Sequence, residues 1–196
     1  MRLDHPQYHN QPVAPWGAAD AHLLIVGLAP GKHGANATGY PFTGDASGEL
    51  LFRVLHRTGF SSHSRPAPVD TTFRLNGCRI TNAVKCLPPG NKPAGDEIRQ
   101  CGDYLLRELQ SMVEPGVIVA LGRLAHGAII RTLGLRQVDF PFAHGMHHNL
   151  DNSVTLLDSY HCSRYNTQTG RLTESMLFEV FRRAADLARQ VTTHEQ

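Results

Sequence analysis

The apolar positions of this chain fall into short continuous runs separated by longer stretches with helical spacing. His22 to Leu28 (HLLIVGL) is the first continuous run, the pattern of a strand buried on both faces. Cys78 to Val84 (CRITNAV), Val117 to Leu121 and Val154 to Asp158 (VTLLD) repeat it. Between them, Leu50, Leu51, Val54 and Leu55 share one face of a helix predicted over Ser47 to Thr58, with Gly59 as its stop. Ile98, Cys101, Leu105, Leu109 and Met112 form a stripe along a second helix from Asp96 to Val113. A third helix leaves Gly122 and stops near Gly134. The last begins near Thr173, a suitable N-cap, and buries Met176, Leu177, Val180, Phe181 and Leu187. Apolar strands alternating with helices predict an α/β fold: three α/β/α layers around a central, mainly parallel four-stranded sheet. Ligands of such sheets lie at the carboxyl ends of the strands, here the loops after Leu28, Val84 and Asp158.

The remaining segments lack periodicity. Residues 1–20, with Pro6, Pro12, Pro15 and Gly17, read as an irregular lead-in, and Ser61 to Val69 reads as a surface loop. Leu87-Pro88-Pro89-Gly90-Asn91-Lys92-Pro93 breaks the chain after the second strand. No repeat or shift of composition divides the sequence, so a single domain over 1–196 is expected. The composition is that of a globular protein, and a net charge of +2 permits a local basic patch for nucleic acid without arguing for one. No apolar run is long enough to span a bilayer, and Met1 to Pro6 lack the apolar stretch of a secretory signal. A cytoplasmic protein is therefore expected, with Cys78, Cys86, Cys101 and Cys162 reduced or ligating metal rather than disulfide-bonded. His144, His147 and His148 hint at a transition metal, but no carboxylate accompanies them in the local pattern, so they read as a polar loop.

The first loop, GLAPGKHGANATGYPFTGD, runs from Gly27 to Asp45. It matches neither GxGxxG nor GxxxxGK[ST], so no dinucleotide or triphosphate motif stands behind it. A structureless loop of this length in a compact domain is usually functional. GLAP followed by G-x-N-x-T-G-x-x-F-T-G-D resembles the first motif of the family 5 (type b) uracil-DNA glycosylases. The resemblance continues through Ile80-Thr81-Asn82-Ala83-Val84-Lys85-Cys86, Pro88-Pro89 and Asn91-Lys92-Pro93, then Phe142-Ala143-His144-Gly145. It closes with Tyr160-His161-Cys162-Ser163, Asn166 and Thr169-Gly170-Arg171-Leu172-Thr173, having run in order from about residue 18 to 185. Two departures stand beside the loop: the family usually has Arg where this chain has Ala37, and commonly Arg where it has Tyr40.

The resemblance implies excision of uracil, or a similarly deaminated base, from double-stranded DNA by a monofunctional hydrolase. The range it implies extends to hypoxanthine and ethenocytosine. Cleaving the bond from C1′ to the base builds positive charge on the sugar and negative charge on the base, so the site needs a donor at the base's oxygen and a positioned water. The base must also leave the stack. By resemblance His161 is the donor to uracil O2; its other reading is a structural histidine in a tight turn. Asn82 offers the donor and acceptor that match uracil's O4 and N3–H edge, or it bridges strand ends. The stretch Gly27-Leu28-Ala29-Pro30-Gly31 carries no polar side chain to activate water, which by resemblance shifts that role to Asp45, with Asn82 as an aid. Asp45 could equally cap the helix that follows, or do both. Phe42 is the candidate stacking platform or a core aromatic. Gly27, Leu28, Ala29 and Pro30, with Phe42 and Asn82, are thus the candidate substrate-binding residues. Ser163, Arg164, Tyr165, Asn166, Thr169, Gly170 and Arg171 combine cations, an aromatic and small donors, and are expected to contact DNA, with a wedge filling the vacated stack.

The resemblance also implies a 4Fe-4S cluster held by four cysteines. Cys86 and Cys101 match the middle pair of ligands, but no cysteine precedes Cys78, so the upstream pair has no counterpart. Either that pair lies upstream of this start or this branch has lost the cluster; no bound cluster is expected from the sequence as it stands, and Cys101 can equally be a buried thiol on its helix stripe. DNA is the expected partner, no membrane is implied, and a monomer is expected. The competing class is a catalytically silent DNA- or nucleotide-binding module on the same fold, which the presence of Asp45, Asn82 and His161 disfavours.

Overall fold

A computed structural model describes residues 4–66, 68, 70–114, 116–150 and 154–192; residues 1–3 of the expected lead-in and 67 and 69 of the surface loop lie outside them. The elements in chain order are β1 (Trp16–Gly17), β2 (Leu23–Gly27), α1 (Ala35–Thr38), α2 (Ala46–Arg57), β3 (Cys78–Asn82), α3 (Gly95–Gln110), β4 (Gly116–Leu121), α4 (Arg123–Thr132), β5 (His147–Leu150), β6 (Val154–Ser159), α5 (Arg164–Gln168) and α6 (Glu174–Thr192).

The sheet has six strands in the order β1-β3-β2-β4-β6-β5. The four predicted strands are the four inner ones: β2 pairs in parallel with β3 and β4, and β4 with β6. The four-stranded count is corrected by two antiparallel borders, β1 on β3 and β5 on β6. Neither had a hydrophobic signature. β1 has only two residues, inside the supposed lead-in, and β5 exposes His147 and Asn149 while burying Leu150.

Because side chains alternate along a strand, each inner strand feeds two cores. Leu23, Ile25, Cys78, Ile80, Val117, Val119 and Leu157 pack with Leu51, Phe52 and Leu55 of α2 and Leu177, Phe181 and Ala184 of α6. Leu24, Val26, Ile118, Ala120 and Leu156 pack with Leu105 and Leu109 of α3 and Ala128, Ile129 and Ile130 of α4. The three layers are therefore α2 and α6, the sheet, and α3 and α4. No helix among the described residues is long and apolar enough to cross a membrane.

The described part of the lead-in, though irregular, is seated on the first loop. The His9 and Asn10 N–H groups donate to the carbonyls of Ala37 and Asn36, and the buried Asn36 amide donates to Asn10 Oδ1 at 3.1 Å. Farther along, the Val13 N–H donates to the Lys85 carbonyl at 2.7 Å.

Candidate active site

Gly27 ends β2, and its register partner Asn82 ends β3. A β-carbon on Gly27 would fall 2.7 Å from two ring atoms of Phe42 and closer still to Asn82 Oδ1, so only glycine leaves room for both side chains over the strand end. Leu28 continues this edge: its carbonyl accepts from the Val84 N–H, while the Gly27 carbonyl accepts from Ala83. Leu28 and Ala29 are half-buried and Pro30 is buried beyond them.

Phe42 holds φ +56°, a left-handed conformation that an aromatic residue rarely adopts. Its ring is 7% exposed and lies 6.1 Å, centroid to centroid, from that of His161 at an interplanar angle of 33°. Such backbone strain persists only where the surroundings hold it, and here it turns the ring toward the strand ends. His161 enters the group from the loop after β6, its Cβ crowding the space beside Gly122. The Asn166 amide donates to the His161 carbonyl at 2.8 Å, which ties the turn after β6 to α5. Burial holds the His161 imidazole below its ordinary range, with the Asp45 carboxylate acting in the opposite direction. The ring is therefore neutral at neutral pH.

Asn82 is 4% exposed, and among the described residues its side-chain amide has no hydrogen-bond partner. This open amide lies with the Phe42 ring over the Gly27 strand end, and that ring in turn neighbours His161. Asp45 is the helix cap that its sequence offered as one reading, and it keeps its second oxygen free of that cap. Oδ1 accepts from the Gly48 N–H at 3.0 Å as the N-cap of α2, while Oδ2 reaches back over the first loop, 2.5 Å from where a β-carbon on Gly34 would stand. Its charge favours the protonated form of both His161 and Cys162.

The second loop is partly helical. Ser163 caps α5 by accepting from the Asn166 N–H at 3.4 Å, and Leu172 is anchored through its N–H to the Asn166 carbonyl. Tyr165 stands 71% exposed on this short helix, beside exposed Arg164, Thr169 and Gly170. The Arg171 guanidinium lies 4.6 Å over the Tyr160 ring, which itself stacks on His144 at 5.0 Å. Of the two positions where the family has Arg, Tyr40 packs edge-on to Trp16 at 5.3 Å and Ala37 is half-buried under the lead-in.

Two groups behind the site, His148 apart, were not singled out from sequence. Lys85 Nζ donates to Thr81 Oγ1 at 2.8 Å, to the Asn82 carbonyl at 2.7 Å and to Glu108 of α3 at 2.7–2.8 Å. Burial lowers the Lys85 pKa, while Glu108 opposes the shift. The signal was available, since Glu108 stands on the same helix stripe as Cys101, Leu105 and Met112. Lys85→Met would leave Glu108 buried without its cation. It is expected to destabilise the fold by about 3–5 kcal/mol, read as the urea midpoint, with Lys85→Met/Glu108→Leu recovering most of the loss. The second group, around Asp158, is taken up below.

The four cysteines do not assemble a four-thiolate site. Cys78 is fully buried in the α2/α6 core, its thiol donating to the Phe60 carbonyl at 3.4 Å, and Cys162 is fully buried in the same core. Burial pushes both thiols up to about 12. Cys86 is exposed near half-buried Cys101 and Glu97, and burial first, then these two neighbours, raise its pKa. Two thiols thus lie outside the core and two are enclosed in it, which does not fit a cluster that takes four.

The model of the uracil DNA glycosylase superfamily matches residues 14–185. The chain is 49% identical over 181 residues to the type-5 uracil-DNA glycosylase of Thermus thermophilus, covering 92% of this chain and 82% of that protein. It is 42% identical over 184 residues to the type-5 uracil-DNA glycosylase of Pyrobaculum aerophilum, covering 94% and 80%. Wild-type SMUG2 of Pedobacter heparinus, a solved structure, superposes with a TM-score of 0.52 at 11% identity, over 97% of this chain and 81% of that one, a likeness of fold. With β2, both loops and most of α6 inside the matched span, this chain belongs to the uracil-DNA glycosylase superfamily.

Proposed function

We propose that this protein hydrolyses the bond between uracil and deoxyribose in double-stranded DNA and leaves an abasic site. The observation that carries the reading is the convergence of Phe42, the open amide of Asn82 and His161 over the Gly27 strand end. A flipped uracil stacks on Phe42, and Asn82 reads its O4 and N3–H with one acceptor and one donor. As the C1′–N1 bond breaks, its electron pair goes to the base, and the neutral His161 imidazole donates a hydrogen bond to the developing charge at O2. Water adds its oxygen to C1′ and passes its proton toward Asp45, while the uracil anion takes up a proton on release. Atoms and charge balance as one water consumed, with free uracil and an abasic sugar formed.

The direct test is incubation with a uracil-containing duplex, followed by alkaline cleavage at abasic sites. Strand breaks at the uracil position are expected. Tight binding without breaks would leave a silent binding module. Duplexes carrying hypoxanthine or ethenocytosine, assayed alongside, define the range of bases. We assign α5 and the turn after it to the DNA backbone and the vacated stack, with the protein acting as a monomer. The double variant Arg164→Ala/Tyr165→Ala is expected to weaken binding to uracil duplex by about 10-fold or more, in line with the ~1–3 kcal/mol of an aromatic–base stack. Unchanged affinity and turnover would exclude the wedge.

A further inference from the structure

His126, His148 and Asp158 meet on the α3/α4 side of the sheet, from three different elements. His126 is 3% exposed and Asp158 fully buried, and the His148 side chain is 10% exposed. His126 Nδ1 lies 2.7 Å from Asp158 Oδ1, and its Nε2 lies 2.9 Å from the Phe140 carbonyl oxygen. A neutral imidazole has one N–H, and a carbonyl and an ionised carboxylate only accept, so the two contacts cannot both be hydrogen bonds without a further proton on the ring or on the carboxyl. His148 Nε2 stands 3.4 Å from Asp158 Oδ2, and both atoms are buried without a hydrogen-bond partner. Unpartnered buried polar atoms are rare and need an explanation.

We propose that these three side chains form a binding site for a divalent transition metal, with Zn²⁺ as its fitting occupant. A cation accepts the lone pairs of His126 Nδ1 and His148 Nε2 and the carboxylate of Asp158, so each unexplained contact acquires a role. His126 then keeps its proton on Nε2 and donates it to the Phe140 carbonyl, the outer-shell hydrogen bond that metal-ligating histidines make. Two imidazoles and one carboxylate are a zinc donor set, and bonds of ~2.0–2.1 Å in a tetrahedral site separate ligand atoms by about 3.3 Å. The His148–Asp158 pair already stands at 3.4 Å, the His126–Asp158 pair at 2.7 Å opens by about 0.6 Å to admit the ion, and no two of the three ligand atoms are more than 4.8 Å apart. Phe140 and Phe142 pack edge-on to His148 and His126, each at 5.6 Å, and close the site with aromatic surface.

The role of the ion is structural. Asp158 exchanges backbone hydrogen bonds with Gly145 and Met146, and the Tyr160 N–H donates to His144 Nδ1 at 3.1 Å. An ion at Asp158 therefore pins α4, the Phe140 turn and β5 to the strand end from which His161 departs.

The test uses the full chain, stripped with a chelator and titrated with Co²⁺ and then Zn²⁺. Expected is one Co²⁺ per chain with the visible absorption of four-coordinate cobalt, its displacement by Zn²⁺, and a rise in Tm of roughly 5–10 °C at a hundredfold excess over Kd. His148→Ala and Asp158→Asn abolish the spectrum, and Cys86→Ser/Cys101→Ser retains it. No uptake by the wild-type chain would overturn the site, leaving His126 as a plain partner of Asp158. Uptake lost in the cysteine variant but kept in His148→Ala would overturn it too. His148 is on a border strand, so His148→Ala with an unchanged circular dichroism spectrum decides the matter should Asp158→Asn fail to fold.

Discussion

His161→Ala is expected to lower turnover on a uracil-containing duplex by about 10²–10³-fold, the usual loss when one donor to a developing oxyanion is removed. The loss should fall on kcat, since the charge on the base develops as the bond breaks, and binding of the duplex should change little. The buried environment of His161 adds a second readout. Its folded pKa lies below the ordinary 6.5 because burial opposes the charged ring, so below pH 6.5 the unfolded chain binds a proton that the folded chain refuses. Stability from this group is complete above pH 6.5 and is lost as pH falls toward the folded value. His144, also shifted down by burial, contributes in the same direction. Thermal melts of wild type should therefore lose Tm on the acid side, and His161→Ala should flatten part of that slope. Equal kcat in wild type and variant would remove His161 from the chemistry.

Asp45→Asn is expected to cut kcat by about 10²–10⁴-fold, the range for a general base, while leaving stability nearly unchanged. The geometry makes the separation possible. Oδ1 is committed to the Gly48 N–H at the start of α2, whereas Oδ2 faces the first loop. Asparagine caps a helix about as well as aspartate, so the variant keeps the cap and loses only the charge. Asp45→Ala should lose both, with a further ~0.5–2 kcal/mol of stability. Wild-type kcat in Asp45→Asn, with a lowered Tm in Asp45→Ala, would reduce Asp45 to a helix cap and move water activation to Asn82.

The inner sheet and the long helices were legible because burial on both faces demands unbroken apolar runs, and burial on one face demands helical spacing. Observed bounds such as Ala46–Arg57 for Ser47–Thr58, and Gly95–Gln110 for Asp96–Val113, differ by a few residues at most. What escaped lacks that demand. β1, α1 and α5 are two, four and five residues long, too short for a period to show. The first loop and the His161 turn stood out as motifs, yet only the fold shows that Gly27 is glycine because Phe42 and Asn82 occupy its side-chain space. The left-handed Phe42 had no signal at all, since no residue type advertises it. His126 and Asp158 were passed over for a different reason. The carboxylate that the His144–His148 cluster lacked locally is supplied by the neighbouring strand through the β5–β6 register, which pairs His148 with Leu156, close to Asp158.

The two borders of the sheet also bear on how this protein behaves in a crowd. An open strand edge is a template for another chain, and β3, which carries Asn82, would offer five residues of one if β1 did not cover part of it. β1 contributes only two paired positions and β5 only four, with His147 and Asn149 turned to solvent. At one end a short strand with solvent-facing polar side chains borders the sheet, and at the other Trp16 and Gly17 cover two of the five positions of β3. Neither border therefore offers another chain a long, flat apolar strand to pair with, the feature by which sheet edges zip into aggregates.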